Sequence, residues 1–238
     1  MCTVTYLPLS PKGFVLTSNR DEAAVRKTSL PPAKYQIENQ TVFFPKDTQA
    51  NGTWIATSCN HLTLCLLNGA FQKHISKPPY KRSRGLVLLD FFKFNDVTKY
   101  VSEYDFQDIE PFTLLIVKSE KDAEIQELRW DGLGLHVKIM DASAPHIWSS
   151  ANLYDNKTIL ERECWFGKWI NEHNYTSDPE NILSFHHFGG KGDVKNDMII
   201  DRTEKRTVSI TSIIQEENSK TMVYEDLQNQ EIKRFRIY

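Results

Sequence analysis

The segment MCTVTYLPLSPKGFVLTSNRDE, residues 1–22, decides the fold of this chain. Residues 2–9 and 14–19 are rich in β-branched and aromatic side chains in partial alternation with polar ones, which predicts two strands. The Ser-Pro-Lys-Gly sequence at 10–13 is typical of a turn. We therefore expect the chain to begin with an antiparallel hairpin.

A four-residue turn at 10–13 sets the register of this hairpin. Counting outward from it places Val4 opposite Asn19 and Cys2 opposite Asp21. Directly opposed side chains share a face, with Cβ atoms about 4.5–5.5 Å apart. The register thus predicts that the Asp21 carboxylate lies beside Cys2. A slip by one residue would bring a neighbour of Asp21 there instead.

The chemistry of this pair suggests an active site. Removal of Met1 would leave Cys2 with a thiol nucleophile and an α-amine of pKa about 7.7–8.0, which is suited to act as a general base. The Asp21 carboxylate would orient the amine, and Arg20 would favour the thiolate or bind an anionic group. The alternative is that Cys2 is a small residue near a terminus and that residues 19–22 form a solvated turn.

A second hairpin, over residues 52–67, ends in Asn68-Gly69. An asparagine amide at a strand end can point into a cleft and donate to an oxyanion, and losing such a donor typically costs about 2.7–4 kcal/mol of transition-state stabilisation. The alternative is that Asn68-Gly69 is simply a turn.

The pattern of apolar and polar residues along the whole chain predicts groups of strands, helices, strands, helices and strands, in that order. Residues 23–50 are polar and contain prolines, so we expect a long surface loop there with a short strand near 41–44. Helices are predicted at 85–93, 97–103, 154–174 and 181–188, and further strands at 112–118, 125–130, 134–139, 207–214, 221–226 and 232–238. Short connections favour antiparallel pairing. We expect an α+β fold with two mostly antiparallel sheets flanked by helices, in a single domain over 1–238.

Composition excludes several classes of function. A net charge of −2 over 238 residues gives no overall field for nucleic acid. No apolar run approaches about 18 residues, so no membrane span is expected. The four cysteines lack a CxxC pair or a zinc-type spacing, which favours a reducing, cytoplasmic setting and predicts neither a metal nor a cofactor.

Four motifs together resemble the NRDE family, the transport-and-Golgi-organisation protein 2-like proteins. They are Met1-Cys2, Asn19-Arg20-Asp21-Glu22, Gly52-Thr53-Trp54 and Leu67-Asn68-Gly69. That family is similar to the N-terminal-nucleophile (Ntn) hydrolases, in particular to the branch of penicillin V acylases and bile salt hydrolases. The resemblance implies a four-layer αββα sandwich, a Cys2 nucleophile and amide-bond hydrolysis.

The resemblance also implies further site residues. Asp21 matches the acylase aspartate, Arg20 is offset by two residues from the acylase arginine, and Asn68 resembles the first oxyanion asparagine. The position of the second asparagine carries Ser150, with Asn152 two residues later. Together with Asn19, the arginine before a late strand, Arg206, completes the predicted substrate-binding or charge-tuning set.

Two other clusters attract attention. The histidine pair at 186–187 and the glycine-rich residues up to 193 lack the spacing of a phosphate-binding loop, so we interpret 186–193 as a loop. The basic residues Lys77, Lys81, Arg82 and Arg84 precede a predicted helix. They favour a solvated approach to that helix over an anion site at its start.

Two classes of function remain open. The first is an N-terminal-nucleophile hydrolase of a non-peptide linear amide, acting on a small-molecule substrate. The second is a non-catalytic metabolite-binding or trafficking-related protein on the same fold, which the serine at position 150 favours. A thiol redox role for Cys2 is a third hypothesis, weakened because no resolving cysteine is close in sequence. No feature of the sequence indicates an oligomeric state.

Overall fold

The computed structural model of the chain describes residues 3–176 and 178–238. The predicted nucleophile, Cys2, lies outside these residues. Within them the chain forms two antiparallel sheets and four α-helices. None of these helices has the length and apolar character that crossing a bilayer requires.

The first sheet has six strands, in the order β10-β1-β2-β11-β12-β13. Its strands are β1 (Thr3–Pro8), β2 (Phe14–Ala23), β10 (His146–Ser149), β11 (Lys205–Gln215), β12 (Lys220–Asp226) and β13 (Glu231–Arg236). The first strand therefore lies inside the sheet, between β10 and β2.

The second sheet has seven strands, which follow one another in sequence order. They are β3 (Leu30–Ile37), β4 (Gln40–Lys46), β5 (Ile55–Ser58), β6 (Leu62–Asn68), β7 (Phe112–Lys118), β8 (Glu124–Trp130) and β9 (Leu135–Met140). The helices are α1 (Arg84–Phe94), α2 (Val97–Glu103), α3 (Asn156–Glu172) and α4 (Ile182–Phe188).

The sheets pack face to face because alternate side chains of each strand are apolar. Tyr6 of β1 and Leu16 of β2 are fully buried in the same cluster as Leu115 of β7. Burying each such side chain stabilises the fold by about 1.5–3 kcal/mol relative to exposing it.

The outer faces of both sheets are covered by helices. Val15, next to Leu16 along β2, packs with Phe166 of α3 and Phe185 of α4. On the other side, Phe91 of α1 belongs to the cluster that covers the second sheet. The layers therefore follow the order helix, sheet, sheet, helix, and the predicted α+β sandwich is confirmed.

The first hairpin forms as predicted, but its predicted register is wrong by one residue. Val4 lies opposite Ser18, not opposite Asn19. The Leu9 N–H donates to the Gly13 carbonyl, at 2.8 Å, so Leu9 lies opposite Gly13 and not opposite Phe14 as predicted. The turn that this bond closes is one residue shorter than predicted, which shifts every pair of the hairpin.

Residues 30–46 are not a loop with one short strand, as predicted, but the hairpin of β3 and β4. Tyr35 of β3 stacks on Phe44 of β4, with ring centroids 4.1 Å apart, and Val42 is fully buried. These contacts stabilise a strand that prolines made improbable from sequence.

Two shorter elements also differ from expectation. The strand β10 was not predicted, and its pairing with β1 places Ser149 opposite Thr3. The helix predicted at 181–188 forms as α4, so the loop predicted over 186–193 begins too early: His186 is helical and fully buried.

Candidate functional site

A cavity of about 610 Å³ opens where both sheets meet the start of α1. Three predicted site residues line it: Arg20 of β2, Asn68 at the end of β6 and Asn152 after β10. The volume is within the range of about 300–1,000 Å³ that is usual for small-molecule sites. Residues far apart in sequence thus converge on one concave surface.

The two asparagines are brought together by a glycine. Gly69 has a φ of +85°, and a Cβ atom built on it would lie 2.9 Å from the Asn152 backbone nitrogen. Glycine at 69 therefore permits both the left-handed backbone and the close approach. The Ser150 hydroxyl donates to the Asn68 carbonyl at 2.7 Å, which joins the two sheets at this point.

The Asn152 side chain has an unusual environment. Its Oδ1 atom is buried and has no hydrogen-bond partner among residues 3–176 and 178–238. Buried polar atoms are rarely left unpaired, and an exception often marks a ligand or water position. The Asn152 amide is thus a candidate contact for a bound molecule.

Arg20 projects from β2 toward the second sheet. Its guanidinium lies 4.3 Å from the centre of the Trp54 ring, and it donates to the Ser29 hydroxyl at 2.7 Å and to the Asp47 carboxylate. Glu22 is a more distant partner, at 3.7 Å. The Arg20 side chain is therefore held rigidly at the cavity wall.

Burial lowers the pKa of Arg20, while Glu22 and Asp47 act in the opposite direction. Burial acts to raise the pKa of Asp47, but hydrogen bonds from Arg26 and from the Ala50 N–H hold it below its ordinary value. Asp47 therefore stays ionised and offsets part of the Arg20 charge.

Asp21 projects to the opposite side of β2, because neighbouring residues of a strand alternate in direction. Its carboxylate accepts hydrogen bonds from the Tyr154 hydroxyl at 2.7 Å and from the Thr207 hydroxyl at 2.6 Å. The side chain is buried. Two neutral hydroxyl donors thus fix the direction of the carboxylate, two residues along β2 from Asn19, which lies opposite Thr3 of β1.

Arg162 of α3 adds a buried positive charge to the same region. Its guanidinium lies 3.8 Å from the centre of the Tyr154 ring and donates to the Thr3 hydroxyl. It also donates to the carbonyls of Asn196, at 3.0 Å, and Asp197, at 2.5 Å. Sequence reasoning missed this residue, because a single arginine on a helix is usually solvated.

Asn19 has a structural environment. Its amide donates to the carbonyls of His186, at 3.2 Å, and Met198, at 2.7 Å, and its Oδ1 atom contacts the His186 ring. Burial lowers the pKa of His186 to about 3, so the ring is neutral. Asn19 therefore anchors α4 to the first sheet and does not line the cavity.

The two remaining predicted site residues, Ser150 and Arg206, also lie outside the cavity lining. Ser150 is buried and gives its hydroxyl to Asn68, and Arg206 is exposed; neither lines the cavity. Lys205, beside Arg206, does line it. Sequence reasoning also missed Tyr154 and Thr207, whose only sequence signal is a hydroxyl near a helix start or in a strand.

Within the described ranges, no group of three or more acidic, histidine or cysteine side chains is arranged to hold a metal ion.

Residues 1–230 match the family Transport and Golgi organisation 2. The chain belongs to this family. The match confirms the resemblance expected from the four motifs. A search of curated protein sequences returned no match for this Transport and Golgi organisation 2 family member.

Solved structures show that this fold occurs in Ntn hydrolases. A variant of the conjugated bile acid hydrolase from Clostridium perfringens has a TM-score of 0.61 and 10% identity, covering 99% of this chain and 92% of that chain. A Caenorhabditis elegans ortholog of N-acylethanolamine-hydrolyzing acid amidase has a TM-score of 0.53 and 12% identity, covering 90% of this chain and 92% of that chain. At these identities the comparison establishes the fold alone.

Proposed function

We propose that this chain is an N-terminal-nucleophile cysteine hydrolase that acts on a non-peptide linear amide. The observation that carries the proposal is the surroundings of Thr3, the first described residue of β1. On one side β2 holds Asp21 with two hydroxyl donors, and on the other β10 leads to Asn152 at the cavity. Cys2 directly precedes Thr3 in the sequence.

In the proposed reaction the Cys2 thiolate attacks the amide carbonyl carbon, and the electron pair of the C=O bond moves to oxygen. Amide N–H groups of Asn68 and Asn152 donate to this oxyanion. The protonated α-amine gives its proton to the leaving nitrogen as the C–N bond breaks, which leaves a thioester. The neutral amine then takes a proton from water, which attacks the thioester, releases the acid and regenerates the thiolate.

The Asp21 carboxylate has a positioning role in this scheme. Its hydrogen bonds from Tyr154 and Thr207 fix its direction, and its negative charge favours a protonated amine nearby. Arg162 balances that charge through the Tyr154 ring and Thr3. The buried Arg162 guanidinium and Asp21 carboxylate thus hold the start of β1 through Thr3 and Tyr154, without a solvent-exposed ion pair.

A non-catalytic metabolite-binding or trafficking-related protein is the second candidate. One observation favours it: Ser150 stands where the resemblance implies an oxyanion asparagine, and its hydroxyl is used by the Asn68 carbonyl. In this case the cavity would bind a small molecule without cleaving it. The cytoplasmic location predicted from the cysteines fits either function, since Cys59, Cys65 and Cys164 are free thiols.

Intact-mass measurement and thiol labelling test the proposal. We expect protein from its natural host to lack Met1 and to react with iodoacetamide fastest at Cys2. Cys164→Ser, which removes an exposed thiol on α3, is the matched control and should keep this fast phase. Cys2→Ala should lose it.

A panel of N-acyl amides then tests catalysis. We expect a covalent acyl adduct on the wild type that is absent from Cys2→Ala, and Asn68→Ala should lower kcat by about 10²–10³-fold. Retention of Met1, or equal turnover by Cys2→Ala and the wild type, would contradict the hydrolase. Stoichiometric ligand binding without turnover would support the second candidate.

A further inference from the structure

The start of α1 forms one wall of the cavity. Ser83, Arg84 and Gly85 all line it. The Ser83 side chain at the N-cap makes no capping hydrogen bond, and the first turn holds no acidic residue. Within the described residues, therefore, no side chain compensates the positive end of the helix dipole from its own first turn.

Close backbone packing fixes this wall. A Cβ atom on Gly52 would lie 2.4 Å from the Gly85 carbonyl carbon, and one on Gly85 would lie 2.7 Å from the Thr53 carbonyl oxygen. The Thr53 N–H also donates to the Gly85 carbonyl, at 3.3 Å. The glycines thus seat the helix start directly on the Gly52-Thr53-Trp54 motif, for which sequence reasoning found no role.

The charged side chains of the cavity are mostly cationic. Five basic residues line it against three acidic ones; they are Arg20, Arg26, Arg82, Arg84 and Lys205, against Glu22, Asp47 and Glu110. Asp47 is shared by two arginines, and Glu110 lies 3.1 Å from Arg84. Arg82 pairs with Asp90, which is not one of the described lining residues. Four basic side chains then remain against three acidic ones, and this smaller excess of positive charge faces a space that a ligand can enter.

Trp54 supplies a second, independent observation. It lines the cavity and is 3% exposed, and its indole N–H has no hydrogen-bond partner among the described residues. A buried indole N–H is a donor that normally finds an acceptor. Among the described residues it has no acceptor, so it can donate to an anionic group that enters the cavity.

We propose that this wall binds an oxyanion group of the substrate, such as a carboxylate, sulfonate or phosphate ester. The dipole of α1, the Arg84 guanidinium and the Trp54 indole N–H would recognise it. This inference rests on the proposed function, because the same cavity contains Asn68 and Asn152. It adds that the substrate is a polar, anionic amide, since apolar side chains form a minority of the lining.

Binding of inorganic phosphate to the Cys2→Ala protein tests this inference without requiring turnover. Titration is followed by tryptophan fluorescence and by calorimetry. We expect wild type and Cys2→Ala to bind phosphate equally, and Arg84→Gln to raise Kd by about tenfold or more. Ethanolamine, which carries no anion, should not compete.

Arg236→Gln is the matched control, because Arg236 is exposed on β13 and donates only to the Tyr238 carbonyl among described residues. It should bind phosphate as the wild type does. Lys205→Gln, which removes an exposed lysine at the rim, should weaken binding by about threefold and guards against misfolding of Arg84→Gln.

The outcomes separate the two proposals. Phosphate binding that needs Arg84, in a protein that hydrolyses no amide, supports the anion site and contradicts the hydrolase. Turnover of neutral amides with no inhibition by phosphate contradicts the anion site and leaves the hydrolase standing. Equal loss of binding in Arg84→Gln and Arg236→Gln shows nonspecific attraction and overturns the inference.

Discussion

Lys220→Met should stabilise the protein near neutral pH, and the gain should disappear as pH rises. Lys220 begins β12 and is fully buried. Its ammonium donates to the Ser58 carbonyl at 3.2 Å and lies 5.5 Å from the Tyr238 ring. Burial lowers the pKa of Lys220 to about 7, and only the nearby Cys59 acts against this shift.

The magnitude follows from the shift in pKa. The unfolded chain holds the lysine proton up to its ordinary value of 10.5, whereas the folded chain releases it near 7. The cost of protonated Lys220 to the folded state is therefore about 4–5 kcal/mol below neutral pH. Methionine loses the bond to Ser58, worth about 1 kcal/mol, so we expect a net gain of roughly 3 kcal/mol.

The sign of the pH dependence is also determined. Between about pH 7 and 10.5 the unfolded wild type binds more protons than the folded form, so its stability rises with pH. Lys220→Met lacks this contribution. The difference in unfolding free energy between variant and wild type should shrink by about 1.4 kcal/mol per pH unit across that window.

Urea denaturation at several pH values measures this difference. Lys233→Met is the control, because Lys233 is exposed on β13 and, among the residues that the structure describes, pairs only with Glu231. An NMR titration gives a second readout: burial and then Lys220 lower the pKa of His61, so it should rise in Lys220→Met. A difference that stays constant from pH 7 to 10 would refute the reasoning.

Two further predictions concern the site. Gly69→Ala should destabilise the protein by about 2–3 kcal/mol in urea denaturation, because it combines a positive φ with a contact to the Asn152 nitrogen. Gly132→Ala is the control: Gly132 has a φ of +98°, but a Cβ atom there would have only one neighbour within 4 Å, at 3.5 Å. This variant should lose about 1 kcal/mol of unfolding free energy. Equal losses of stability in the two variants would contradict the role of the Asn152 contact. Tyr154→Phe removes a hydrogen bond to the Asp21 carboxylate that is worth about 1.5–3 kcal/mol. We expect this variant to slow alkylation of the N-terminal thiol by about tenfold. An unchanged pH–rate profile of alkylation would contradict the positioning role of Asp21.

The fold was largely predictable because its strands and helices carry strong local patterns. The second helix, Val97–Glu103, and the strand Phe112–Lys118 have the predicted bounds. The strand His146–Ser149 was missed because four residues are too few to show an alternating pattern. The register of the first hairpin depends on one extra hydrogen bond in its loop, which no composition rule reports.

The site was predictable only in part, for a different reason. Asp21 and Asn68 come just after the predicted strand cores and stand beside charged or glycine residues, so the sequence alone singles them out. Tyr154, Thr207 and Arg162 come from elements more than 130 residues away from Asp21 along the chain, and no local pattern connects them. Tertiary packing alone brings them to β1.

The hydrogen bond from Ser150 to the Asn68 carbonyl has one more consequence. It spans the two sheets, so the amides at the cavity keep their spacing only while one sheet stays aligned on the other. A small sliding of the sheets would leave every strand intact and yet separate Asn68 from Asn152. Ligand binding should therefore be lost at a lower denaturant concentration or temperature than the β-structure. Measured beside the β-structure, ligand binding would report how well the two sheets are aligned.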